Sequence, residues 1–198
     1  MTKMWMPMGF VAAFLGASTL ANGQASSPSF DCSKASGEVE KRICADEGLA
    51  SLDRKMAEVF EKALEKLPSE EAATQRVVQR GWIKGRNDCW KSDDLRLCVE
   101  REYRTRTVEL QIKSGQLMAP TPVGYACEGG EDKPFFATFY TETDPPSAVI
   151  TYGDDQVIAF QTPSGSGAKY TADGMELWEH HGEATVDWYG TKLVCKAR

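Results

Sequence analysis

The hydrophobic pattern of this chain changes its period once, at Met118-Ala119-Pro120-Thr121-Pro122. Before that point apolar residues recur at three- and four-residue steps; after it they alternate. A helix repeats about every 3.6 residues and a strand every two, so a segment patterned for one cannot bury its apolar face as the other. Two prolines, which lack a backbone donor and resist helix, separate the patterns. The sequence therefore divides into a helical unit over 26–117, a linker over 118–122 and an all-β unit over 123–198. A chain of 198 residues has room for two small domains.

Residues 1–25 have the make-up of a secretory signal: Lys3, an apolar run from Met8 to Ala21, and small residues at Gly23-Gln24-Ala25 for cleavage. The run is too short, and too broken by Gly and Ser, for a membrane span. The first cysteine, Cys32, follows Ser29-Phe30-Asp31 rather than the small residues of a lipidation site. The expectation is a periplasmic protein, soluble after signal cleavage and without a membrane anchor.

Six cysteines lie beyond the leader: Cys32, Cys44, Cys89, Cys98, Cys127 and Cys195. An even count in an exported chain points to disulfides, although the sequence alone does not fix their partners. Local pairing of Cys32 with Cys44 and of Cys89 with Cys98 is expected, which leaves Cys127 for Cys195. That last bridge would staple the first strand of the β unit to the last, which fits a closed barrel better than an open sheet. The chain has no CxxC pair, and its only histidines, His180 and His181, would point to opposite faces of a strand. Neither zinc nor any other cofactor is expected.

Charge is unevenly spread. The formal total is −6, yet residues from Val123 onward hold 5 Lys and Arg against 12 Asp and Glu, a balance of −7. An acidic β unit argues against nucleic acid as its partner and for a cationic one.

In the first half, Ser36 opens a short helix with half a capping box. Leu49, Leu52, Met56, Val59, Phe60, Ala63, Leu64 and Leu67 stripe a second helix. Pro68-Ser69-Glu70-Glu71 ends it and starts a third, with Ser69 as N-cap. Leu95, Val99, Tyr103, Arg106 and Leu110 share a face of the last helix, which stops near Gly115. The unit is a small antiparallel bundle, in which Asp53, Arg86 and Arg106 are placed to form one buried charge network. In the second half, alternating runs around Phe135–Tyr140, Val149–Tyr152, Val157–Phe160, Glu183–Trp188 and Lys192–Lys196 predict seven or eight short antiparallel strands, as a barrel or sandwich.

One stretch of the β unit is built for presentation. Thr162-Pro163-Ser164-Gly165-Ser166-Gly167-Ala168-Lys169-Tyr170 alternates serine with glycine behind a stiffening proline. Glycine admits positive φ and close approach, and serine hydroxyls both donate and accept. Trp178 and Trp188 are candidate stacking platforms, though the alternation of Trp188 with Val186 favours core packing.

Two resemblances follow from ordered motifs. Phe30-Asp31-Cys32, Glu40-Lys41-Arg42-Ile43-Cys44, Leu49-Ala50-Ser51-Leu52-Asp53, Trp82, Arg86-Asn87-Asp88-Cys89, Cys98, Tyr103 and Arg106 resemble the LprI-type N-terminal domain of exported bacterial proteins. That domain is associated with lysozyme inhibition. Tyr125-x-Cys127, the Ser164–Tyr170 stretch, Leu177-Trp178 leading to Gly182-Glu183-Ala184, and Cys195 resemble the MliC/PliC family of c-type lysozyme inhibitors.

The second resemblance implies an eight-stranded antiparallel barrel and a c-type lysozyme as partner. It also implies a contact loop of Ser164, Gly165, Ser166, Gly167, Lys169 and Tyr170. Ser166 would place its hydroxyl between the two carboxyl groups of the lysozyme cleft, with Ser164 and Tyr170 shaping the loop. The family also uses a lysine before a second glycine segment. Here His180 or His181 stands in that place, one residue out of register, so the second contact carries charge only towards acid pH. Lys169 offers a cation within the loop itself. The rival readings are an envelope adaptor acting through the helices and a peptidoglycan-active enzyme. No nucleophile–base motif supports the enzyme, since Gly165-Ser166-Gly167 is not a G-x-S-x-G elbow.

Overall fold

The structure, a computed structural model, describes Met1 and residues 27–198; the rest of the expected leader lies outside the described residues. The first half contains a 3-10 turn at Cys32–Lys34 and four helices: α1 (Glu38–Ala45), α2 (Glu47–Lys66), α3 (Ser69–Asn87) and α4 (Leu95–Lys113). A second 3-10 turn, Asp88–Lys91, joins α3 to the approach of α4.

Acidic side chains set two of the helix starts. Asp46 accepts from Leu49 N at 3.2 Å to cap α2, and Asp94 accepts from Leu97 N at 2.9 Å to cap α4. Two expected caps move by one residue. Gly37, not Ser36, precedes α1, and the Glu40 carboxylate accepts from Ser36 N at 3.1 Å and Gly37 N at 3.3 Å. Only that half of a capping box forms, because glycine has no side chain to return the bond. Pro68, not Ser69, precedes α3. With ψ of 151° it is still extended, but its carbonyl accepts from Ala72 N at 2.8 Å, the first bond of the helix, which puts Ser69 in the first turn.

Val39 and Ile43 of α1, Leu49, Met56, Val59 and Ala63 of α2, and Val99, Tyr103 and Leu110 of α4 close over one core. The third helix packs Trp82 against this core and also buries two polar side chains, Gln79 and Arg86. The expected charge network is in fact two. Tyr103 donates its hydroxyl proton to Asp53 at 2.7 Å and accepts from Arg86 at 2.5 Å, while Ser29 N donates to the other Asp53 oxygen at 2.6 Å. Burial pushes the Tyr103 hydroxyl far above its ordinary pKa, so it remains a donor. Arg106 lies apart from this cluster and donates to Gln79 at 2.9 Å, Gln75 at 3.1 Å and Glu109 at 3.2 Å.

The second half is a closed barrel of eight antiparallel strands: β1 (Val123–Glu128), β2 (Phe135–Tyr140), β3 (Ser147–Tyr152), β4 (Asp155–Thr162), β5 (Ala168–Ala172), β6 (Met175–His180), β7 (Glu183–Trp188) and β8 (Thr191–Ala197). Each strand pairs with the next, and β1 pairs with β8. Closure removes the exposed edges that an open sheet would carry. The alternation read from the sequence gives the interior: Phe135, Ala137, Ile150, Ala159, Leu177, Ala184, Val186, Trp188 and Leu193 face inward. Trp188 is a core residue, packed on Tyr152 with ring centroids 5.8 Å apart.

All three expected disulfides are present: Cys32–Cys44, Cys89–Cys98 and Cys127–Cys195. Cys127 and Cys195 are direct register partners, so their bridge crosses the seam where β1 meets β8. Their separation of 68 residues corresponds to about 4 kcal/mol in the loop-entropy treatment.

The barrel has two ends with different company. The β2–β3, β4–β5 and β6–β7 connections share the end where β1 begins and β8 finishes. The helices meet the barrel there. Arg104 of α4 pairs with Asp144 in the β2–β3 connection and with Glu100 of its own helix at 2.7 Å. The Glu100 carboxyl is held below the usual carboxylate range, first by its bonds to Arg104 and then by Arg96.

Candidate functional site

Between Thr162 at the end of β4 and Ala168 at the start of β5, residues 163–167 form an exposed loop. Two bonds fix its shape. Ser164 donates from its hydroxyl to the Gly167 carbonyl at 3.0 Å, closing the loop on itself. Trp178, on the neighbouring β6, donates from its indole N–H to the Ser166 carbonyl at 2.8 Å. Among the described residues, no hydrogen bond engages the Ser166 hydroxyl, which is presented to solvent.

The two loop glycines serve different ends. Gly167 has φ of +65°, and a Cβ there would lie 2.2 Å from the Glu179 carbonyl oxygen and 3.1 Å from His180 Cβ. No larger residue fits without lifting the loop off β6. At Gly165 a Cβ would meet nothing within 4 Å. Its surroundings are open space at the outermost part of the loop.

His180 ends β6, and His181 forms the turn at φ +55°. Their rings stack 4.1 Å apart at 22°. The expectation of opposite faces fails here because His181 has already left the pleat. Glu179 steadies the same turn by accepting from Gly182 N at 2.8 Å. His180 joins Ser166, Trp178, Glu183, Thr185 and Val194 around a shallow groove of about 280 Å³ beside the loop.

The remaining candidates take supporting places. Lys169 pairs with Glu176 across the β5–β6 ladder at 2.8 Å, so its cation already has a partner. Tyr170 is only 3% exposed and packs inside the barrel against Phe139, with ring centroids 5.4 Å apart. It supports the strand beneath the loop rather than meeting a visitor. Burial, and then the Glu179 carboxylate, raise the Tyr170 hydroxyl above its ordinary pKa. The same causes push Tyr125 up to about 12.

Trp178 takes a part that the sequence reading did not give it. It is not a core residue; its N–H clamps the loop and its ring stays exposed. The signal for this lay in the cross-strand register, in which Trp178 sits opposite Lys169, two residues beyond Gly167.

The disulfide-closed barrel thus presents one exposed, hydroxyl-bearing loop tied down on β6. Comparisons with known proteins are specific about its relatives. The family model described as lysozyme inhibitor LprI matches residues 32–121, and that of membrane-bound lysozyme-inhibitor of c-type lysozyme, MliC, matches residues 125–194. The chain is 37% identical over 168 residues to Lipoprotein LprI of Mycobacterium bovis and to Lipoprotein LprI of two Mycobacterium tuberculosis strains, covering 85% of this chain and 83% of each relative. No solved structure gives a significant match. The chain belongs to the LprI family, with an MliC-type barrel as its second half.

Proposed function

We propose that this protein inhibits c-type lysozyme by seating residues 163–167 in the catalytic cleft. The observation that carries the reading is the Ser166 hydroxyl, unengaged on a loop whose backbone is held on both sides. A glycosidase cleft of this kind contains two carboxyl groups, one protonated and one ionised. A single hydroxyl can donate to the ionised group and accept from the protonated one, and bonds to ionised groups are among the stronger ones. Preorganisation supplies the rest, because little loop entropy remains to be lost on binding.

His180, its ring stacked on His181, stands behind Gly167 and offers a second polar contact. The balance of −7 over the barrel half favours approach to a cationic enzyme and makes association faster at low salt. We read the protein as an exported, periplasmic inhibitor, since all six cysteines are bonded in pairs, as an oxidising compartment allows. Inhibition, rather than peptidoglycan hydrolysis, is its role, in keeping with both matched families.

The test is lysis of a peptidoglycan suspension by a c-type lysozyme in the presence of the full chain. Wild type protects the suspension, and Ser166→Ala protects it at least about tenfold less well. Clearing by the protein alone, or equal protection by wild type and Ser166→Ala, overturns the reading.

A further inference from the structure

The outward positions of β6, β7 and β8 are Glu176, Trp178, His180, Glu183, Thr185, Asp187, Lys192, Val194 and Lys196. Only Trp178 and Val194 among them are apolar, and both are open to solvent, at 41% and 59%. The register places them on either side of one residue: Trp178 lies opposite Thr185, and Thr185 opposite Val194. The three side chains therefore form one lateral stripe across three adjacent strands. Cross-strand neighbours on one face stand about 5 Å apart, close enough to be covered as a unit.

This stripe adjoins the loop. The Trp178 N–H is spent on the Ser166 carbonyl, which leaves the indole ring, not its polar group, to meet a ligand. Ser166 itself lines the same groove of about 280 Å³, whose polar rim is His180 and Glu183. Of these, Glu183 is paired with Lys196 at 3.1 Å. An exposed tryptophan beside an aliphatic side chain, ringed by polar groups, has the anatomy of a binding hot spot.

We infer that the Trp178–Thr185–Val194 stripe is a second contact surface for the same lysozyme, packing on an apolar rim of the cleft whose floor receives the loop. The inference rests on the loop reading and extends it. The occupant follows from continuity: a body that takes Ser166 from the solvent side necessarily stands over the groove that Ser166 lines. The stripe also accounts for the double duty of Trp178, which clamps the loop with one edge and offers its ring face to the partner.

The experiment measures affinity of the full chain for a c-type lysozyme by calorimetry, with Val194→Asp, Val194→Ser and Thr185→Lys beside wild type, and self-association by sedimentation. Val194 stands two strands from Trp178, across β7, so its two variants leave the clamp intact. Val194→Asp weakens binding about tenfold or more, even though an added negative charge favours a cationic partner. Val194→Ser, which adds no charge, weakens it in the same direction and guards against misfolding of the aspartate variant. Unchanged affinity for all three variants, with Ser166→Ala still impaired, overturns the stripe and leaves the loop reading standing. Wild-type dimers that Val194→Asp dissolves, at unchanged lysozyme affinity, assign the stripe to a second copy of this chain and also overturn it. Failure of wild type to bind lysozyme removes both readings together.

Discussion

Changing either loop glycine to alanine adds the same single methyl group, two residues apart, and the structure gives the two substitutions opposite outcomes. At Gly167 an L-residue at φ +65° costs about 1–2 kcal/mol. Its Cβ would also sit 2.2 Å from the Glu179 carbonyl oxygen, backbone that belongs to the β5–β6 ladder and cannot swing aside. Relieving that overlap costs about 1–3 kcal/mol more. Gly167→Ala therefore destabilises the barrel by about 2–5 kcal/mol, or displaces the loop and loses the Trp178–Ser166 bond. Gly165→Ala meets nothing within 4 Å and changes stability by less than about 0.5 kcal/mol. In a background with Trp5, Trp82 and Trp90 replaced by Phe, urea unfolding followed by tryptophan fluorescence reports Trp178 and Trp188 in the barrel. Circular dichroism at the helical band follows the first half separately. The barrel midpoint falls by at least about 1 M for Gly167→Ala and stays in place for Gly165→Ala. Lysozyme protection is lost with the first variant. Equal midpoints for the two variants would refute the account of how the loop is held.

Three further outcomes follow from the packing. Replacing Cys127 and Cys195 by serine removes the seam bridge and lowers barrel stability by about 4 kcal/mol, read as an earlier fluorescence transition with the helical transition unmoved. Arg86→Met leaves Asp53 buried beside Tyr103 without its cation, and the helical transition weakens by about 3–5 kcal/mol. Raising the pH destabilises the barrel through its interior tyrosines. Folding lifts the Tyr125 pKa from its ordinary 10.0 to about 12 and raises Tyr170 as well, so the folded state holds these protons more tightly. That stability is fully present below pH 10 and is lost as pH climbs through 12, by about 2–3 kcal/mol for Tyr125 alone. A urea midpoint that does not fall between pH 9 and 11.5 contradicts it.

How much of this was legible in the sequence depends on the range of the interaction concerned. The break at Pro120 and Pro122, the alternation of Phe135 with Phe136 and of Val186 with Asp187, and the local cysteine pairs all lie within a few residues, where backbone period governs. The joining of Cys127 to Cys195 followed because no other partner remained. What escaped depends on angles between elements. Asp53, Arg86 and Arg106 share a helical unit, but Arg106 lies nearly one turn, about 4.5 Å, beyond Tyr103 on the same face of α4, and that rise carries it to Gln79 and Gln75 instead of Asp53. The stacking of His180 on His181 requires the turn at φ +55°, which no alternation rule for strands contains. The Trp178 clamp needs both the register of β5 with β6 and the curl of the loop over it.

The central claim, that the Ser166 loop occupies the cleft itself, is tested most directly by steady-state hydrolysis of a soluble chito-oligosaccharide by a c-type lysozyme at increasing concentrations of this protein. Occupation of the substrate's own place predicts an apparent KM that rises with inhibitor while kcat stays constant. A kcat that falls at constant KM, or full activity at saturating protein, would contradict it.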